Sequence, residues 1–151
     1  GRCHPRKAWL VTLRSFRGGG RFEEVGSYAR AKRVGPFVWV AGTTAIEPSG
    51  RIHAPGDSYA QTLFILGRIE ETLAAVGAEL RHVARVRGYL TDLGLAGGFV
   101  RAHGEVFRGI DPVLTAVEAG LTQPGLVVEL DVDAVIHDAE GRIPGLTGEN
   151  R

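Results

Sequence analysis

Cysteine is nearly absent from the 151 residues: Cys3 stands alone, which excludes an intrachain disulfide and fits a reducing compartment. Long apolar runs are missing as well, and no stretch approaches the roughly 20 residues that span a bilayer. The short apolar run Ala8 to Leu13 is ended by Arg14 and is too brief for a secretion signal. These absences point to a cytoplasmic protein with no membrane part. His4, His53, His82 and His137 are scattered without ligand spacing, so no metal site is expected. No Gly-x-Ser-x-Gly elbow and no dinucleotide fingerprint is found, so no cofactor is expected either. Cys3 lies near the start, away from any motif, which speaks against a thiol nucleophile.

What is present is an ordinary globular composition, 44% apolar and 23% charged, apart from 22 glycines. The length fits one domain with a real core. The net charge of +1 hides an asymmetry, because residues 1–21 carry six of the 18 Lys and Arg and no carboxylate. The remainder is acidic, with 12 basic against 17 acidic side chains, which argues against a nucleic-acid surface. Arg17-Gly-Gly-Gly-Arg21 lacks the Gly-Lys-Ser/Thr end of a phosphate loop and reads as a joint. We therefore divide the chain into a basic, flexible extension (1–20), a domain (21–137) and a loose Gly- and Pro-containing tail (138–151).

The domain reads as α+β. Val34-Gly35-Pro36 turns a hairpin between extended runs at 27–33 and 37–42. Asp57 or Ser58 caps a helix to about Val76, whose apolar stripe is Tyr59, Thr62, Leu63, Leu66, Ile69, Leu73 and Val76. Gly77 stops it, and Gly67 inside it is read as a close approach to the sheet. A strand over Val83 to Thr91, a weak helix over Phe99 to Phe107, a strand over Val113 to Ala119 and a strand over Leu126 to Ile136 follow. The last strand alternates, with Val128, Leu130, Val132 and Ala134 on one face and Glu129, Asp131 and Asp133 on the other. The order is β-β-α-β-α-β-β. Two helices cover only one face of such a sheet, so the other is expected to meet copies of the same chain.

Several segments together resemble the reactive intermediate deaminase (Rid, or YjgF-like) family. They are Gly26-Ser27-Tyr28-Ala29-Arg30-Ala31, Val38-Trp39-Val40-Ala41-Gly42-Thr43, Gln61-Thr62, Ile69 to Leu80, Val83 to Val86, Tyr89 to Asp92, Pro112 to Glu118 and Val127 to Leu130. The resemblance implies a chorismate-mutase-like fold and a homotrimer around a central β-barrel, with a small-molecule cleft at each subunit boundary. Deaminating members hydrolyse an imine, water attacking the C=N carbon and ammonia leaving. By position, Glu129 matches the water-orienting glutamate and is the candidate catalytic residue. Tyr28, Ala41, Gly42, His103 and Leu114 match substrate-contacting positions.

The departures matter. Leu114 stands where the family holds the substrate carboxylate with an arginine, a bidentate grip that a neutral group does not replace. Ala41 stands where a serine is common, and His103 where an asparagine is usual. The expected function is therefore binding of a small imine, enamine or carbonyl compound, with or without hydrolysis, but not standard 2-iminobutanoate deamination. The alternative is a non-catalytic ligand-binding or chaperone-like trimer. Asp131 and Asp133 read as structural, and a plain interface role for Glu129 would pair it with Arg85 or Arg87.

Overall fold

The computed structural model describes residues 12–144 and 146. Cys3 and the first basic residues, Arg2, Arg6 and Lys7, lie outside the described residues, as does the end of the tail. The elements are β1 (Leu13–Phe16), α1 (Arg21–Gly26), β2 (Ala31–Val34), β3 (Phe37–Thr44), α2 (Ser58–Ala75), β4 (Val83–Leu90), α3 (Ala96–Val106), β5 (Val113–Glu118) and β6 (Val128–Val135). They form one six-stranded mixed sheet in the order β1-β2-β3-β6-β4-β5, in which only β4 and β5 run parallel. From β2 onward this is the α+β succession read from the sequence.

The start differs from the reading by pattern. β1 falls within the stretch assigned to the extension and pairs antiparallel with β2, Leu13 opposite Val34 and Phe16 opposite Ala31. The extended run placed at 27–33 begins only at Ala31, because residues 21–26 fold as α1 and Ser27 closes that helix in the left-handed region at φ 55°. The buried Glu23 carboxylate accepts the backbone N–H groups of Gly18 and Gly20, tying the glycine run to the new helix. A three-glycine stretch holds shape here because a carboxylate satisfies its amides.

α2 forms where its caps and stripe place it. The Asp57 side chain accepts the Ala60 N–H at 3.0 Å. At the other end the Gly77 N–H donates to Ala74 and the Ala78 N–H to Leu73, with Gly77 at φ +83°, a conformation a side chain would strain. Arg33 of β2 donates to the Val76 carbonyl at 2.8 Å, placing a cation at the negative end of the helix. Ile65, Leu66, Ile69 and Leu73 are buried on the sheet. Gly67 is not a packing glycine: it is exposed, with nothing within 4 Å of where a Cβ would stand. The close approach lies instead at Gly88 of β4, where a Cβ would come 2.8 Å from the Phe99 ring of α3.

Gln61 is fully buried and serves the connections around α2. Its amide donates to the carbonyls of Ala54 and Gly125, and its oxygen accepts the Val127 N–H. Val128, Leu130, Val132 and Ala134 of β6 are buried under the helices, and Glu129, Asp131, Asp133 and Val135 are half-buried on the open face. That open face also shows Phe37 and Trp39 of β3 and Val113 and Val117 of β5, all exposed.

Candidate functional site

The site begins with a break in β3. Val40 pairs with Val132 of β6 and Thr43 with Leu130, so Ala41 and Gly42 together oppose the single residue Asp131. Such a bulge frees backbone carbonyls from the ladder, and they need partners from elsewhere. Arg30 supplies them: its Nη2 donates to the carbonyls of Ala41 (3.2 Å) and Gly42 (2.5 Å) and to Thr43 Oγ1 (2.9 Å). Burial lowers the pKa of this guanidinium, and the nearby Arg68 adds to the effect while Glu23, Tyr28 and Glu129 oppose it.

Glu129 lies over the bulge. A Cβ on Gly42 would come 2.5 Å from Glu129 Oε1, so the carboxylate occupies space that only glycine leaves open. The three acids of the open face of β6 have different fates. Asp131 accepts from Arg87 Nη1 at 2.9 Å and from the Tyr89 hydroxyl at 2.8 Å, and Asp133 pairs with Arg87 Nη2 at 3.3 Å. The Glu129 carboxylate makes no hydrogen bond or ion pair among the described residues. The pairing imagined with Arg87 is taken by its neighbours on the same strand, and Arg85 makes none with Glu129. Burial first, and then the charge of Asp131, hold the Glu129 carboxyl above the usual glutamate range, with Arg30 pulling the other way.

Tyr28 forms the wall between two hollows. One, of about 450 Å³, is lined by Tyr28, Lys32, Trp39 and Ala41. The other, of about 220 Å³, is lined by Tyr28, Arg30, Gly42, Thr44 and Arg68 among others. Tyr28, Ala41, Gly42 and Glu129 are therefore brought together around the β2–β3 hairpin and β6. His103 and Leu114 are not with them. His103 sits on α3 between Phe99 and Phe107, with ring centroids 6.0 and 4.7 Å away, and its Nε2 is buried without a partner. Burial pushes its pKa down, which disfavours the charged form. Leu114 lies on the edge strand β5 opposite Val86. Within one chain β4 and β6 separate that strand from the bulge. A third hollow, about 710 Å³, runs between residues 81–84, 109–113, 135 and 137–139 and contains none of these side chains.

Arg30 and Arg68 carry much of the local charge, and sequence reasoning assigned them no role. Arg30 stood inside a quoted motif, but its partners are two carbonyls and a hydroxyl 11–13 residues away, which no spacing rule reports. No group of three His, Cys, Asp or Glu side chains is gathered for a metal ion among the described residues.

Comparison with known proteins agrees with this architecture. Residues 19–136 match the family model described as Endoribonuclease L-PSP. A crystal structure from Mycobacterium tuberculosis, of a member of the YjgF/YER057c/UK114 family, is 38% identical, covers 83% of this chain and 100% of its own, and superposes with a TM-score of 0.74. An uncharacterized protein of Streptomyces coelicolor is 33% identical over 123 residues, 81% of this chain and 91% of that one. A RutC family protein of Pyrococcus abyssi is 31% identical over 110 residues, 73% and 87% of the two chains. The ordered motifs, the mixed sheet under its helices and these matches give one answer: the chain belongs to the Endoribonuclease L-PSP family, the YjgF-like or Rid family.

Proposed function

We propose that this protein is a trimeric, Rid-like hydrolase of a small imine, enamine or carbonyl compound. Its ligand lies in a cleft that a neighbouring copy closes over the β2–β3 hairpin. Glu129 accepts a proton from water as the water adds to the C=N carbon. Glu129 then returns that proton to the nitrogen of the carbinolamine, the C–N bond breaks as the hydroxyl becomes a carbonyl, and ammonia leaves. The observation that carries this reading is that Glu129 is partly buried beside a bulge and unpaired, while Asp131 and Asp133 are both committed to Arg87. A carboxylate with a raised pKa and no ion pair is suited to accepting a proton. Tyr28 lines the cleft, Ala41 and Gly42 form its floor, and the partner's side contributes His103 and the apolar Leu114.

With Leu114 in place of a guanidinium, the protein is not a standard 2-iminobutanoate deaminase. Trapping 2-iminobutanoate in an assay coupled to an amino-acid oxidase should show little turnover by the native chain. Leu114→Arg should raise it by about ten-fold or more, the effect of one charge-assisted pair. Robust native turnover would refute this part.

The second reading is a non-catalytic ligand-binding or chaperone-like trimer, favoured by the same missing arginine. Glu129→Ala separates the two: turnover is lost under the hydrolase reading while ligand binding persists. If no variant or native protein shows turnover against an imine panel, the binding reading stands. The family model's own description names an endoribonuclease, but residues 22–151 carry a net −5, a poor surface for a polyanion.

A further inference from the structure

The hollow beside Glu129 contains more positive charge than the bulge requires. Arg21, Arg30 and Arg68 line it together, and the Glu23 carboxylate, its one acid, is already bound to the backbone N–H groups of Gly18 and Gly20. Arg68 projects from α2, and its Nη1 donates to the carbonyls of Ile46 at 3.1 Å and Thr44 at 3.5 Å. Its Nε and Nη2 make no hydrogen bond, and no carboxylate stands within ion-pairing distance, among the described residues. Arg30 is close enough that the two guanidiniums repel, which adds to the lowering of the Arg30 pKa by burial. A guanidinium tethered through one nitrogen, with the rest of its fork open toward a hollow, is prepared for a planar anion.

Resting on the hydrolase reading above, we propose that Arg68 is the anion receptor of this cleft and sets the substrate class. It selects small substrates that carry a single carboxylate. Glu129 stands opposite Thr44 in the ladder and reaches over Gly42, while Arg68 is tethered at the Thr44 and Ile46 carbonyls, so the working carboxylate and the grip come from neighbouring parts of one strand pair. Arg30, held by the bulge carbonyls, adds positive potential between the two ends. A single negative charge suits the place better than a phosphate dianion, because Glu23 lines the hollow and Glu129 lies next to it over Gly42. The grip thus lies on the β3 side of β6 rather than on the β5 side, and the ligand is turned round relative to an imino acid held from β5.

The test uses the full chain and three probes: 4-oxopentanoate, its methyl ester, and 2-oxobutanoate. Affinities are read by ligand-observed NMR titration, and mass by light scattering. The native protein should bind 4-oxopentanoate about ten-fold more tightly than the ester. Arg68→Gln should remove that difference while leaving ester binding unchanged, and Arg68→Lys should restore only part of it. In Leu114→Arg, 2-oxobutanoate should gain affinity that Arg68→Gln does not remove. Equal binding of acid and ester, or a difference that persists in Arg68→Gln, overturns the inference and leaves the cleft reading intact. If neither acid nor ester binds, the cleft reading itself fails and the inference fails with it. If Arg68→Gln changes the assembled mass instead of the ligand preference, Arg68 pairs with a neighbouring copy and the inference is wrong.

Discussion

Glu129 stores unfavourable free energy in the folded state. Its folded pKa lies above the value it has when unfolded, so its ionised form is penalised by folding. The sign follows: below the unfolded pKa the group is protonated in both states and costs nothing, and the penalty grows as pH rises through the folded pKa. Glu129→Gln should therefore melt higher than the native protein at neutral pH, with the gain shrinking to nothing in acid. Thermal unfolding monitored between acid and neutral pH checks this. A loss at neutral pH that fades toward acid would show instead that Glu129 is a stabilising, paired carboxylate. A site that pays stability for a charged, unpaired group fits a working carboxylate.

At the scale of elements, the β3 bulge converts a plain strand into a floor for that carboxylate. Gly42 is needed for space alone, since its backbone is not in the left-handed region. Gly42→Ala would collide with the far end of a flexible side chain, so Glu129 moves and the backbone stays. The expected outcome is a folded protein that loses most of its turnover, with a stability cost of about 1 kcal/mol from the displaced rotamer. In a Glu129→Ala background the same substitution should cost nothing, so a double-mutant cycle isolates the contact. Equal costs in both backgrounds would place the clash elsewhere. Arg30 keeps the bulge in register, which explains why a cation is buried beside a hairpin that the hydrophobic pattern alone would have left regular.

For the whole molecule, the helix-free face is the decisive feature. Trp39 is 47% exposed, Val113 57% and Val117 46%, an apolar set too extensive for a plain solvated sheet. β5 is exposed along its whole length and is an edge with nothing beyond it among the described residues. Association through this face predicts a solution mass about three times the 16.2 kDa chain. Val117→Glu should leave the monomer fold intact but shift the mass toward that of one chain, and turnover should fall with it. A native protein that sediments as a monomer at micromolar concentration would defeat the trimer and the shared cleft together.

Periodicity alone determined α2, β4, β6 and the α+β order, because their buried faces repeat every 3.6 or 2 residues and local caps such as Asp57 and Gly77 mark their ends. The motifs likewise single out Tyr28, Gly42 and Glu129, which the fold gathers around one bulge. Tertiary structure alone decided that Arg87 takes Asp131 and Asp133 and leaves Glu129 unpaired, that Arg30 holds a bulge, that Gly88 rather than Gly67 is the packing glycine, and that residues 13–26 form a strand and a helix. Each of these depends on partners far apart in the chain, brought close only by strand order. Local sequence records which face a residue occupies; it does not record what meets that face.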